Sequence, residues 1–326
     1  MNSRIVNIDF VKAVAMFTVI GLHTFGVDMD WHYVNILYEM CVIAIPLFFM
    51  SSGYIMLPRE DITIGYVLKK ELRLFRFLFF LSVSYGIISY INMSISYSEC
   101  LNLIVGAVVS EPLYHCWFLL TMMILYIILP AFNWLFHNKF NSILLFVFIL
   151  VVINNGIFVA NLFFVKPIES QIAQYLRLYN WLFYFLVGGL LFIYKDKVKL
   201  RFKYFTIVTL LLLNVFFQEL LRPLMNSSLC EYFYSSFFVE LLSLSIFIYI
   251  LHMKLNNSRS INLLSKLFLP VYIFHPFFIP YSNRICFHFF NVEFALFARF
   301  FVVSFLSISF SYLFMEIPYM SKVFKI

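Results

Sequence analysis

The sequence contains ten apolar runs, each close to the roughly 20 residues that an α-helix needs to cross a lipid bilayer. Lipid offers the backbone no hydrogen-bond partners, so each run is predicted to form a spanning helix. The predicted spans are residues 8–27, 35–57, 74–93, 115–136, 142–164, 175–194, 204–221, 232–252, 264–282 and 294–316. We therefore expect an all-α polytopic integral membrane helical bundle, with residues 1–326 forming a single domain.

Composition supports a lipid environment and excludes a soluble globular domain. Hydrophobic residues make up 63% of the chain and charged residues only 12%, whereas soluble domains carry about 25% charged residues. The sequence has no Walker-type, dinucleotide-binding or Gly-x-Ser-x-Gly pattern, and its cysteines show no metal-ligand spacing with histidine. We expect neither a metal nor a nucleic-acid partner.

The basic residues predict the orientation of the bundle. Of the 23 Lys and Arg residues, 17 fall on the side of the N-terminus and five on the opposite side, while Lys12 lies within the first span. Cytoplasmic loops carry an excess of Lys and Arg, so both termini are predicted to be cytoplasmic. The net charge of +7 follows this topology.

Two segments depart from a simple spanning pattern. Residues 264–282 contain three prolines and are predicted to be kinked or broken, because a proline removes a helical hydrogen-bond donor. Residues 94–113 are apolar but shorter, and an eleventh span would break the charge pattern. We expect this second segment to be interfacial or re-entrant.

The first span carries three ionisable side chains, Asp9, Lys12 and His23. Each costs about 2.5–3.5 kcal/mol to place in a membrane, so their presence indicates a function. At 100° per residue, Lys12 and His23 fall on one helix face about 16 Å apart. The alternative is an interfacial ion pair of Asp9 with Lys12 and a histidine that hydrogen-bonds at the membrane boundary.

The segment 4–15 (RIVNIDFVKAVA), followed by His23, resembles the opening of acyltransferase family 3, a family of bacterial membrane O-acyltransferases. In that family a basic residue, usually arginine, precedes a histidine by ten intervening residues. Lys12 stands at this position, which keeps the charge but loses the planar guanidinium. Further matches follow in family order: 46–54 (PLFFMSSGY), the basic run 69–76, 115–119 (HCWFL), 272–276 (YIFHP) and 316–318 (EIP).

The resemblance implies an acyl-CoA donor, most often acetyl-CoA, used from the cytoplasmic side of the bacterial inner membrane. The implied acceptor is a sugar hydroxyl of a surface polysaccharide, such as O-antigen, or of its lipid-linked precursor. Membrane lipids are the remaining partners. Direct attack of the sugar on the thioester and relay through an acylated imidazole both remain open.

The predicted catalytic residues are His23, Lys12 and Ser52. A histidine with an ordinary pKa near 6.5 suits general-base chemistry on a hydroxyl at neutral pH. Ser52 and the adjacent Gly53 are candidate hydrogen-bond donors to the developing oxyanion. Close helix packing or a helix cap is the alternative explanation for this small pair.

Lys70, Arg73 and Arg76 are predicted to bind the phosphates of coenzyme A. Their spacing of three residues places them on one helix face at the predicted cytoplasmic end of a span. The alternative is plain positive-inside topology, with anionic lipid as the partner.

His115, Trp117 and His275 are the predicted substrate-binding residues. An aromatic ring at the outer end of a helix can stack on a sugar, although an interfacial aromatic belt and a kink-stabilising histidine are the alternatives.

Two other functions compete with the enzyme. One is a secondary transporter with an intramembrane relay, and the other is a channel-like subunit of a polysaccharide assembly complex.

Overall fold

The computed structural model describes residues 5–25, 32–60, 62–91, 96, 98–99, 113–164, 166–198, 203–224 and 230–317. Within these ranges the chain forms α-helices joined by turns and short 3₁₀ helices, and no strand. The all-α prediction is therefore confirmed over the described part of the chain. The predicted re-entrant segment 94–113 lies almost entirely outside the described residues.

Eleven α-helices are described, and they follow the predicted apolar runs. They are α1 (Val6–Thr24), α2 (His32–Met40), α3 (Ala44–Met56), α4 (Ile64–Ile91), α5 (Trp117–Asn138), α6 (Phe140–Asn161), α7 (Leu178–Tyr194), α8 (Lys203–Leu221), α9 (Phe237–Leu251), α10 (Arg259–Phe289) and α11 (Val292–Glu316). Seven described segments are long and apolar enough to cross a membrane, and α7 and α9 are shorter apolar helices. The chain is a multi-pass membrane protein. The number of ten spans and the cytoplasmic termini stay predictions.

The helices α2 and α3 together occupy the second predicted span. A 3₁₀ turn, Cys41–Ile43, joins them, so the run from His32 to Met56 changes its hydrogen-bond pattern in the middle. Pro46 lies in the first turn of α3, where helical N–H groups have no intrahelical acceptor. The proline therefore begins a new helix after the 3₁₀ turn.

Helix α10 continues through its three prolines, so the predicted segment is not broken, and a kink stays a prediction. The helix runs from Arg259 to Phe289 and contains Pro270, Pro276 and Pro280. Neighbouring polar groups can satisfy the carbonyls that prolines leave without a donor. Pro276 deprives the Tyr272 carbonyl of its helical donor, and the ring of His275 contacts the backbone of Val271 and Tyr272.

Helices α3 and α7 pack with their backbones in contact. A Cβ atom added to Gly53 would lie 1.7 Å from the Phe185 carbonyl oxygen, and one added to Gly188 would lie 2.0 Å from that of Met50. Only glycine permits such an approach, which is typical of membrane helix pairs. Gly53 therefore has a packing role, as the alternative explanation proposed.

Candidate functional site

A cavity of about 590 Å³ opens among helices α1, α3, α4, α5, α10 and α11. It lies toward the N-terminal end of α1, the end that the loop charges predict to be cytoplasmic. Five cationic side chains line it, namely Lys12, Arg59, Lys70, Arg73 and Lys266. Apart from Ser52 and Ser265, the other lining residues are aromatic or aliphatic, among them Phe48, Phe118, Met122, Phe268 and Leu269. We call this space the basic cavity.

Aromatic rings and a buried amide position the cations of the basic cavity. The Arg59 guanidinium lies 4.9 Å and the Lys70 ammonium 5.9 Å from the centroid of the Tyr66 ring. Asn133 donates hydrogen bonds to the carbonyls of Leu57 (2.8 Å) and Arg59 (2.7 Å). The chain after α3 is thereby fixed, and it brings Arg59 over the same ring as Lys70.

The cations of the basic cavity repel one another. Lys70 lies on α4 before the predicted span 74–93, and burial lowers its pKa to about 8, with further contributions from Arg73, Arg59 and Lys12. Burial and nearby like charges both disfavour the ammonium form. A bound anion would reverse this effect, so the site suits a negatively charged ligand.

Four of the predicted site residues, Lys12, Ser52, Lys70 and Arg73, line the basic cavity together. The Lys12 ammonium lies 5.6 Å from the centroid of the Phe268 ring. The Ser52 hydroxyl donates a 3.0 Å hydrogen bond to the Phe48 carbonyl one turn earlier on α3. Arg76 does not line the cavity; it lies further along α4 and is exposed.

Three histidines from distant parts of the sequence meet beyond the basic cavity. The His23 and His275 ring centroids are 5.0 Å apart, and those of His115 and His275 are 6.2 Å apart. His275 is completely buried and His115 is 8% exposed, whereas His23 is accessible to solvent. We call these three residues the histidine cluster.

Two reciprocal contacts join His115 to α10. The Tyr272 hydroxyl donates a hydrogen bond to the His115 carbonyl, and His115 Nε2 lies 3.1 Å from the Ile273 carbonyl oxygen. These contacts hold the Tyr272 ring in place. His115 therefore has a clear positioning role, and its predicted contact with substrate stays a prediction.

The ring of Tyr272 separates the basic cavity from the histidine cluster. On one side it contacts Phe118, with centroids 5.6 Å apart, and Phe48, at 6.3 Å. On the other side it contacts His275, at 6.1 Å. Tyr272 thus contacts both the lining of the basic cavity and the histidine cluster.

Trp117 lies in a buried aromatic stack. It is 6% exposed, and its ring centroid is 4.9 Å from that of Trp181. The Trp181 indole N–H donates a 2.7 Å hydrogen bond to the Gln174 carbonyl, which fixes the stack. Trp181 covers part of the Trp117 ring in this arrangement. Sugar stacking by Trp117 stays a prediction.

Sequence reasoning did not single out Arg59, Lys266 or Phe268 as site residues. Arg59 and Lys266 contribute to the excess of positive charge on the side of the N-terminus, and Phe268 is one of 44 phenylalanines. Each comes from a different part of the chain, so no local motif connects them. The excess of Lys and Arg residues on one side of the membrane was the sequence feature that could have indicated this site.

The described residues contain no group of three or more His, Cys, Asp or Glu side chains placed to hold a metal ion. Asp9, the third ionisable residue of α1, accepts a hydrogen bond from Ser265 on α10. This contact links the two helices that carry Lys12 and Phe268.

The fold and the site define a multi-pass helical membrane protein with a basic cavity and a cluster of three histidines. Residues 5–316 match the family model described as an acyltransferase domain, so the chain belongs to acyltransferase family 3 and is a membrane acyltransferase. The family resemblance of the sequence motifs is thereby confirmed. Searches of curated proteins and of solved structures find no match to the chain.

Proposed function

We propose that the protein transfers an acetyl group from acetyl-CoA, taken from the cytoplasm, to a sugar hydroxyl of a bacterial surface polysaccharide or of its lipid-linked precursor. The observation that carries this proposal is the basic cavity, which five cations and many apolar side chains line, and whose lining residue Phe118 contacts Tyr272 beside the histidine cluster. The inner membrane is the proposed location, because a cytoplasmic donor and an exported acceptor meet there.

The basic cavity has the chemical character that coenzyme A requires. Phosphate groups form strong charge-assisted hydrogen bonds with guanidinium and ammonium groups, which Arg59, Lys70 and Arg73 supply. The pantetheine arm is a long and weakly polar chain. It fits between aliphatic and aromatic side chains such as Met122 and Phe268. The thioester would then lie toward the inner end of the cavity.

His23 is the proposed general base. A neutral imidazole removes the proton of the acceptor hydroxyl as the oxygen attacks the acyl carbon, and later returns it to the departing thiolate. Such proton transfer accelerates a reaction by about 10²–10⁴-fold. In a relayed route the same imidazole would carry the acyl group before the sugar receives it. The solvent accessibility of His23 suits both routes.

Replacing His23 by alanine in a producing strain tests the proposal. We expect loss of acetyl groups from the polysaccharide, measured by NMR of the purified glycan, at unchanged amounts of membrane protein. His288→Ala is the matched control, because His288 is exposed near the end of α10 and should tolerate the change. Full acetylation in the His23→Ala strain would refute the catalytic role.

A further inference from the structure

His275 carries a buried nitrogen that no described residue satisfies. The side chain is 0% exposed, and its Nε2 atom has no hydrogen-bond partner among the described residues. Buried polar atoms are nearly always hydrogen-bonded, so an orphaned one indicates a role that requires it.

The contact of the other ring nitrogen, Nδ1, fixes the tautomer of His275. Nδ1 lies 3.2 Å from the Val271 carbonyl oxygen. A carbonyl oxygen can only accept, so Nδ1 carries the proton. In a neutral ring Nε2 then has a lone pair and acts as a hydrogen-bond acceptor.

His23 is the nearest described ring that can supply a donor. Two imidazoles joined by an N–H···N hydrogen bond of about 2.9 Å have their centroids roughly 5 Å apart. The His23 and His275 centroids are 5.0 Å apart, with the ring planes inclined by 51°. The separation of the two rings therefore matches a hydrogen bond between a nitrogen of His23 and Nε2 of His275.

The neighbouring titratable groups already have other contacts. His115 Nε2 lies 3.1 Å from the Ile273 carbonyl oxygen, and the Tyr272 hydroxyl donates to the His115 carbonyl. These two residues surround His275, with ring centroids 6.2 Å and 6.1 Å away. Their polar atoms hold α10 against the chain before α5, whereas Nε2 of His275 remains available to His23.

We infer that His275 is a positioning residue for His23, whose N–H its Nε2 atom accepts. This inference rests on the proposed function for its role in the reaction. The hydrogen bond holds the proton of His23 on the nitrogen that faces His275. The other nitrogen of His23 then carries the lone pair that meets the substrate.

With this pair in place, each bond and proton of the transfer step is accounted for. The acceptor oxygen forms a bond to the acyl carbon and gives its proton to the free nitrogen of His23. The carbon–sulfur bond breaks, and the thiolate takes that proton back as the free thiol of coenzyme A. His275 exchanges no proton in the cycle. It accepts a hydrogen bond that strengthens while His23 is positively charged.

A matched pair of substitutions separates this role from packing. The asparagine of His275→Asn reaches the position of Nδ1 and keeps a donor toward Val271, but it leaves the Nε2 position empty. The longer glutamine of His275→Gln reaches the Nε2 position and restores an acceptor. Both variants lack a titratable group, so a difference between them reports the hydrogen bond to His23.

The reactivity of His23 toward diethyl pyrocarbonate provides the readout. This reagent acylates neutral imidazoles, and mass spectrometry of the purified protein measures the modification at each histidine, with the exposed His288 as the internal reference. We expect His275→Asn to lower the rate at His23 about tenfold. His275→Gln should recover at least half of the wild-type rate, and the affinity for acetyl-CoA should be unchanged in both variants.

Equal reactivity of His23 in the wild type and in folded His275→Asn would overturn the inference. So would a loss of reactivity that His275→Gln fails to recover. The assay contains no acyl-CoA, so its result is independent of the donor. If His23 responds as expected but the wild-type protein binds no acetyl-CoA, the pair is supported and the proposed function is refuted.

Discussion

The surroundings of the cationic side chains differ between the basic cavity and the opposite side of the protein. Arg222 pairs with the completely buried Glu39 and lies 3.2 Å from Glu219. Arg177 donates to the Glu169 carbonyl at 2.8 Å and lies 3.6 Å from the Glu231 carboxylate. These arginines lie against buried or partly buried carboxylates, and the cations of the basic cavity line a space of about 590 Å³.

The comparison predicts which charges stabilise the fold and which bind a ligand. The positive-inside rule explains why most cations lie on one side of the membrane, but not why five of them converge on one cavity. On the predicted outer side, Arg177 and Arg222 belong to networks with carboxylates. We therefore expect substitutions of the outer arginines to change stability and substitutions of the cavity cations to change ligand affinity.

The largest effect is expected for Arg222→Ala. Removing the guanidinium leaves the Glu39 carboxylate buried without its cationic partner, which costs about 3–5 kcal/mol for a buried ion pair. We expect a clear fall in the unfolding temperature and in the yield of the protein purified in detergent. The double substitution Arg222→Met with Glu39→Met should recover much of the loss, because it removes both charges. An unchanged unfolding temperature in Arg222→Ala would contradict the structural role.

The next effect concerns Arg73 in the basic cavity. Arg73→Ala should weaken the binding of acetyl-CoA about 10–100-fold, as expected for the loss of one or two hydrogen bonds to a charged group. Isothermal titration calorimetry on the detergent-solubilised protein at two salt concentrations measures this change.

Lys69→Ala is the matched control for Arg73→Ala, because Lys69 is exposed on α4 and does not line the cavity. The unfolding temperature should stay the same in both variants. Absence of acetyl-CoA binding by the wild-type protein would favour a transporter over the enzyme.

Much of the fold could be predicted from apolar runs alone, because a bilayer leaves the backbone few options. Residues 204–221 were predicted as a span, and α8 occupies Lys203–Leu221. Residues 264–282 were predicted to be kinked or broken because they contain three prolines. Local sequence could not reveal that the packed helix α10 continues through them.

The site was only partly predictable. The sequence predicted that Lys12 and His23 share one helix face. In the structure Lys12 lines the basic cavity and His23 belongs to the histidine cluster. Their partners come from remote segments. Arg59 follows α3, while His115 precedes α5, and no spacing rule connects such residues before the helices are packed.

A smaller effect is expected from the pH dependence of binding. Burial lowers the pKa of Lys70 to about 8, so Lys70 is charged at pH 7 and becomes neutral as the pH rises above 8. Phosphate groups, with a second pKa near 6, stay ionised over this interval. The affinity for acetyl-CoA should therefore fall about five-fold between pH 7 and pH 9, by loss of one charge-assisted hydrogen bond. Lys70→Arg should remove the dependence, because a guanidinium stays charged. An identical fall in that variant would assign the titration to another group.

The smallest effect is expected for Arg76, and it sharpens the comparison within a single helix. Arg76 lies one turn beyond Arg73 on α4, and the spacing alone predicted that both bind coenzyme A. Both arginines are exposed, but only Arg73 lines the cavity. Water outside the cavity screens the charge of Arg76 from a ligand bound inside, so Arg76→Ala should change the acetyl-CoA affinity less than twofold. Calorimetry under the conditions used for Arg73→Ala makes the comparison direct. Equal losses in the two variants would mean that phosphate binding follows the helix face predicted by the spacing and extends beyond the cavity.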